Sequence, residues 1–444
     1  MRLPTLLAAI ALALLLPAAA DALPAGALVP GGAKADCVGG RGAPCRTITR
    51  GMANPVTGAF SPDGRSFYVG SLGNGGLFQF ARDPRTGRLD PVEGGPHCIG
   101  YQLGCERLAH PMPEAVAVTH DGRFVYTGGA GPDDGLIAFA RDTTSGALTP
   151  AGCLAGFRTT CGFPGGATND SDVQALEITA GDRFVVAASV DGVGVVPRDP
   201  ATGALSPTGA NCVVGDDMAT SYDEPSRDCR VDRKLGRPLG MDLTAGGRLY
   251  VAAEDGGGLH TFTVDPVSGA LAQAGKVKGG FMEVAASPDG RSVYAVTEDF
   301  DLLAYAADPA TGALTRIKGR RGCFTIAPRC TFLKGLSTPE DVRVSADGRY
   351  VVVGAAEGTT VLRRDRATGG LRQLKGRATC ATVDGTDGLG FGKDERPKEC
   401  LDGDYALGNM TGIELSPDNR HAYMLETEAG SGRAVGVVQV LRRR

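Results

Sequence analysis

The chain has 444 residues, with 46 Lys and Arg against 50 Asp and Glu, a formal net charge of −4. That balance supplies no basic field for nucleic acid. The 67 glycines point to a turn-rich chain, and the absence of Trp argues against a WD-repeat protein.

The first residues read as a leader. Arg2 is followed by an apolar stretch from Leu6 to Leu16 and by small residues that suit cleavage near Ala20 or Ala22. The apolar stretch is short for a bilayer span, which takes roughly 20 residues. Residues 1–22 are therefore expected to be a signal peptide, and the mature protein to be secreted or periplasmic without a transmembrane segment.

From residue 23 onward one pattern recurs. Its clearest copy runs Ser61-Pro62-Asp63-Gly64-Arg65-Ser66-Phe67-Tyr68-Val69-Gly70, then Leu77-Phe78-Gln79-Phe80, then Asp83-Pro84-Arg85-Thr86-Gly87-Arg88-Leu89. The first turn returns at Thr119, Thr179, Thr244, Ser287, Ser345 and Ser416, and the second at Asp142, Asp199, Asp265, Asp308 and Asp365. Both turns are built from residues that set φ or bond their own backbone. Between them lie two runs rich in Val, Tyr, Phe and Ala with period-two character. Each copy reads as four antiparallel strands, one before the first turn, two in the middle and one after the second turn. Such a period is the signature of a β-propeller.

The expected fold is all-β: a seven-bladed β-propeller of four-stranded antiparallel blades, a single domain over residues 23–444. The last copy ends at Val437-Val438-Gln439-Val440-Leu441 without a second turn. Ala25-Gly26-Ala27-Leu28-Val29-Pro30 resembles Ser145-Gly146-Ala147-Leu148-Thr149-Pro150. A strand over about 26–30 is therefore expected to complete the last blade and close the ring, leaving no open edge.

Twelve cysteines fall into six close couples, all but one of the inter-blade links carrying one. The exception is the link after the fourth blade, Lys276 to Phe281. Repeat equivalence selects local disulfides, Cys37–Cys45, Cys98–Cys105, Cys153–Cys161, Cys212–Cys229, Cys323–Cys330 and Cys380–Cys400, in keeping with an oxidising compartment. No Cys-x-x-Cys spacing suggests zinc. These links and the turns between middle strands should gather on one face, around the mouth of a central channel.

Two acidic sets belong to that face. In the middle turns stand Asp133, Asp134, Asp191, Glu254, Asp255, Glu298, Asp299, Glu357, Glu426 and Glu428, which as a ring would collect Ca²⁺, another divalent cation or a cationic ligand; Asp beside Gly also simply suits a hairpin turn. At the starts of the inner strands stand Glu114, Gln174, Glu283, Glu340 and Asp341, a candidate binding set at the channel mouth. Glu114, Gln174 and Glu340 occupy equivalent positions and should point the same way. His110 lies just upstream of Glu114. Glu114, Glu340 and His110 are the candidate catalytic residues, a His with two carboxylates being able to bind metal or act as a general base. The nucleophile-elbow, zincin, phosphate-loop and dinucleotide motifs are all missing.

The copy Ser287-Pro288-Asp289-Gly290-Arg291-Ser292-Val293-Tyr294-Ala295-Val296, with Leu303-Ala304-Tyr305 and Asp308-Pro309-Ala310-Thr311-Gly312-Ala313-Leu314, resembles the lactonase-type seven-bladed propellers. That group includes propeller-type 6-phosphogluconolactonases, fungal muconate cycloisomerases and YVTN-repeat surface proteins. The likeness covers the mature chain and implies the fold and a lactone-related chemistry. Phosphogluconolactonases of this type carry Pro-Arg-His before an inner strand; the nearest match here, Arg237-Pro238-Leu239-Gly240-Met241, has no His. The expected function is a secreted binding module that meets an extracellular protein, glycan or small molecule through its disulfide-stapled face, as a monomer and without nucleic acid. The alternative is hydrolysis or isomerisation of an unphosphorylated lactone at the channel mouth.

Overall fold

The computed structural model describes residues 28–30, 37–39, 46–47, 52–73, 75–100, 105–107, 112–130, 135–155, 172–206, 211–215, 229–325, 330–356, 358–382, 384–386, 399–402, 410–427 and 436–443. The expected signal peptide, His110, Asp133, Asp134, Glu357 and Glu428 lie outside these residues. Among the described residues no helix is long and apolar enough to cross a membrane.

The protein is an all-β propeller of four-stranded antiparallel blades built from copies of the repeat. In sheet B the order is Met112–Val118, Phe124–Ala130, Gly135–Arg141 and Leu148–Ala155. Sheet A opens with Pro55–Phe60, sheet C with Val173–Ile178, sheet D with Arg237–Leu243, sheet E with Phe281–Ala286, sheet F with Pro339–Val344 and sheet G with Met410–Leu415. The second and third strands follow each opening strand in sequence and in space.

The outer position differs from the expectation of one strand per blade. In sheets A, E and F two short strands share it: Leu89–Pro91 and Cys98–Gly100 both pair with Gly76–Arg82, and sheets E and F repeat this. The chain leaves the sheet at Pro91, which has no N–H to continue a ladder, and returns at the cysteine. Sheet G follows the same rule with residues from the other end of the chain. Leu28–Pro30 pairs with Leu441–Arg443, and Cys37–Gly39 pairs with Val437–Gln439. Val438 thus faces Val38, and the strand at Leu28 sits farther along.

The turns explain the repeat. Ser61 Oγ donates to Asp63 at 2.5 Å and accepts the Ser66 N–H at 2.9 Å, while the Gly64 N–H reaches Ser61 O at 2.8 Å with φ of +65°. In the second turn Asp83 accepts the Arg85 N–H at 2.8 Å, and Gly87 closes onto Asp83 O with φ of +78°. A side chain with Cβ is disfavoured at those glycine φ values, which is why Gly recurs there.

Cores lie between consecutive sheets, as in the cluster of Tyr126, Leu136 and Leu154 with Val173, Leu176 and Val185. Tyr423 and Leu425 of sheet G likewise pack with Phe67, Val69 and Phe78 of sheet A. A polar clasp spans several of these junctions. The Tyr68 hydroxyl donates to Gly146 O at 2.7 Å and accepts from Arg141 Nε at 2.8 Å. Tyr126 meets Gly203 and Arg198 in the same way, Tyr294 meets Gly369 and Arg364, and Tyr423 meets Gly87 and Arg82 across the two ends of the chain. Between sheets C and D the corresponding residues are Val186 and Val264, both buried in one cluster. Between sheets D and E Tyr250 is kept while the arginine position holds Ala307, both buried in one cluster, so the tyrosine stands there without its arginine.

Four disulfides stand as paired in the sequence: Cys98–Cys105, Cys212–Cys229, Cys323–Cys330 and Cys380–Cys400, with Cα separations of 4.8, 4.8, 5.1 and 5.0 Å. Cys37 and Cys153 are also disulfide-bonded; Cys45 and Cys161 lie outside the described residues.

Candidate functional site: the central channel

The inner strands surround a cavity of about 440 Å³ lined from Glu114, Gln174 and Glu340 at one end to His120 at the other. Every inner strand carries a bulge at the same place. The register slips between Pro113 and Ala115, Val173 and Ala175, and Pro339 and Asp341, and the other inner strands do the same. The extra residue is Glu114, Gln174 and Glu340 in these three, so their equivalence is structural. A bulge re-aims a side chain where pairing is relaxed. Elsewhere the position holds Val56, Leu239, Met282 and Thr411.

At the mouth, Gln174 Nε2 donates to Glu114 Oε2. Burial first, and then the nearby Asp172 carboxylate, push Glu114 up to about 7, against the opposing pull of Gln174 and Arg237. Glu340 is raised as well, by burial and then by Asp341. Asp341 is not at the open mouth. It is buried, accepts the Ile413 N–H of the next sheet at 2.7 Å and receives Arg343 Nη1 at 2.5 Å. Glu283 also turns to Arg343, at 3.2 Å.

Deeper in the channel Glu283 and Asp341 join Arg343, Glu414, Glu177 and Asp242, four residues that the sequence alone did not single out. Arg343 faces Asp341 and Glu283 through Nη1 and Glu414 through Nη2 at 3.6 Å. Glu177 and Asp242 belong to the same electrostatic set. Asp242 accepts the Ala286 N–H at 2.7 Å. Glu283 and Glu414 each keep about a fifth of their side-chain surface open to the channel, but protein surrounds them. Burial accordingly raises Glu283 to about 8, Glu414 to about 7 and Asp242 to about 6, each against the attraction of Arg343. Glu177 is raised by burial and then by Asp242. Glu177, Asp242, Arg343 and Glu414 each stand two residues before the Ser or Thr of the first turn, where other copies have Ala59, Ala117 and Ala285. That periodic slot was the readable signal.

The far end is defined by His120, whose Nδ1 lies 2.9 Å from Asp182; Asp182 also accepts the backbone N–H of His120 and Asp121. His260 is buried, its Nε2 3.0 Å from Gly257 O, and its pKa is lowered by burial; it is a packing residue.

Among the described turn carboxylates, three are engaged or buried. Glu254 pairs with Arg237 at 2.5 Å, Glu298 accepts the Asp255 N–H at 2.5 Å, and Glu426 is buried with its pKa driven well up. Hairpin geometry and local ion pairs use these groups. Among the described residues no three His, Cys, Asp or Glu side chains are grouped so as to hold one metal ion. What the channel offers is a set of carboxylates titrating near neutrality, able to donate or accept protons, around one guanidinium.

No family model matches the chain, and no curated protein matches it. Among solved structures, a putative 6-phosphogluconolactonase from Bacteroides fragilis is similar over 73% of this chain and 84% of its own, at 19% identity and a TM-score of 0.53. A periplasmic gluconolactonase from Pseudomonas aeruginosa is similar over 79% and 94%, at 19% identity and 0.52. A putative 6-phosphogluconolactonase from Bacteroides uniformis follows over 83% and 88%, at 16% identity and 0.51. At these identities the likeness is one of fold alone, that of a β-propeller.

Proposed function

We propose that this chain is a secreted or periplasmic lactonase-like propeller that binds a small, uncharged or cationic, hydroxyl-rich molecule at the mouth of the channel. The observation that carries this is the lining of the channel. Glu114, Glu177, Asp242, Glu283, Glu340, Asp341 and Glu414 line it against Arg343 and the distal His120. Burial holds several of these carboxyls protonated near neutral pH, and Arg343 is already held by Asp341, Glu283 and Glu414, so the channel has no free cation for a phosphate ester but many donors and acceptors for a polyol, with Gln174 adjoining. Sheets A to G, each packed on the next and G on A, support a ring of seven blades closed by the segment 28–39. The disulfides support the oxidising compartment that a leader over residues 1–22 would deliver the domain to. Titration calorimetry with gluconolactone and with its 6-phosphate tests the reading. Saturable binding of the unphosphorylated compound, weakened in Glu340→Gln, is expected; tighter binding of the 6-phosphate that is itself weakened in Glu340→Gln would refute it.

A second reading, hydrolysis of an unphosphorylated lactone, is favoured by Glu114. A carboxyl raised to about 7 and held by Gln174 suits a general base for water. Acid release followed at constant pH, with and without a chelator, is the test. Turnover rising through about pH 7 and abolished in Glu114→Gln is expected if the mouth is catalytic; its absence with binding intact leaves a binding protein.

A further inference from the structure

A second hollow, of about 610 Å³, lies at the junction of sheets E and F, outside the channel. Arg321, Arg349, Arg363, Arg366 and Arg372 line it, and among its lining residues Asp365 is the one carboxylate, 3.8 Å from Arg321. Arg364 also reaches it but is committed to Tyr294 and Asp289. This concentration of guanidinium groups sits in a chain whose net charge is −4.

The other blades act as an internal control. Arg363 is directly opposite Arg372 across the ladder. At the same register sheet A has Ala81 and Asp90, sheet B Ala140 and Thr149, sheet D Thr263 and Ala272, and sheet E Ala306 and Thr315. Like charges directly opposite each other weaken a sheet, so the fold does not ask for two arginines here. Arg366 likewise stands in the second turn where Pro84, Pro200, Pro266 and Pro309 stand in other copies. Proline presets the turn φ and arginine does not. The charges in this hollow are thus accumulated against local preference. Guanidinium forks match the oxygen pairs of a tetrahedral oxyanion better than ammonium groups do.

We propose that the arginine hollow between sheets E and F is a binding site for the phosphate group of an organic ligand, separate from the acidic channel. The site holds the anion between the Arg363–Arg372 pair and Arg366. The test is calorimetry of the full mature protein with pyrophosphate at low ionic strength, beside cosedimentation with vesicles of phosphatidylcholine with and without phosphatidate. Saturable pyrophosphate binding is expected, falling with added salt and weakened about tenfold or more in Arg363→Ala/Arg372→Ala, the loss of one or more charge-assisted contacts. That variant should melt no lower than wild type without ligand, because a like-charge pair is relieved. Arg366→Ala, in an exposed turn, serves if the double variant does not fold. Arg88→Ala, on sheet A, should bind as wild type. Pyrophosphate binding without cosedimentation assigns a soluble ligand; phosphatidate-dependent cosedimentation lost in the variant assigns a phosphate displayed on a surface. No saturable binding in either arm, or equal binding by the variants and wild type, would overturn the proposal.

Discussion

The junction of sheets G and A joins residues from opposite ends of the chain, and one hydroxyl group can be removed from it almost without changing volume. Tyr423 is fully buried; its hydroxyl donates to Gly87 O at 2.8 Å and accepts Arg82 Nε at 2.7 Å. In Tyr423→Phe both partners lose this contact inside the protein. An orphaned buried polar group costs about 1–3 kcal/mol. Arg82 keeps Gly64 O at 2.8 Å, Asp418 at 3.1 Å and His421 Nδ1 at 2.6 Å, so the guanidinium stays compensated and the loss should be about 2 kcal/mol, roughly thirtyfold in the folding equilibrium. Urea unfolding followed by far-ultraviolet circular dichroism reads the energy. Hydrogen exchange reads the place: protection should fall first in Ser66–Arg82 and His421–Thr427. Tyr68→Phe removes the same hydroxyl at the junction of sheets A and B and provides the matched comparison. A loss below about 0.5 kcal/mol, the size of an ordinary surface substitution, would refute the view that the clasps carry the junctions.

Stability should fall as pH rises. Glu114, Glu283, Glu414 and Asp242 have folded pKa values of about 7, 8, 7 and 6, above those of an unfolded chain, so the native state holds more protons in between. Their contribution is complete below about pH 4 and is lost through about pH 6–8. Melting temperatures should decline from about pH 5 to about pH 8.5, less steeply in Glu414→Gln; a rise over that interval contradicts the assignment. Arg343→Met should cost about 3 kcal/mol at alkaline pH, the low end for a broken buried pair because 31% of the side chain is accessible. It should cost less at about pH 5, where the facing carboxylates protonate; equal losses in urea at both pH values would exclude the linkage. Replacing Cys380 and Cys400, both buried and 20 residues apart, by Ser should cost about 3 kcal/mol in the same assay.

The turns were legible because Ser61, Asp63, Gly64, Asp83 and Gly87 do local work: each bonds its own backbone or takes a φ others avoid, so residue type and position coincide. The equivalence of Glu114, Gln174 and Glu340 was legible for the same reason, being counted from those turns. The Arg343 set was not, because its members come from different copies and meet only when the inner strands converge; in any one copy a charged residue two before the turn looks like an exposed strand residue. The clasps were hidden for a similar reason. Tyr68 and Arg141 belong to neighbouring copies, and within a copy Arg141-Asp142 reads as part of the turn. The turn carboxylates Glu254 and Glu426 misled because sequence shows charge but not the partner or the burial that removes it from solvent.

The repeated bulge separates two jobs that a strand residue ordinarily combines. Val56, Glu114, Gln174, Leu239, Met282, Glu340 and Thr411 are each supernumerary to the ladder beside them, so their identity can drift while the pairing around them stays put. The rim of the pore is thereby a set of interchangeable slots, and a combinatorial library confined to them should alter what the pore admits without disturbing how the sheets assemble.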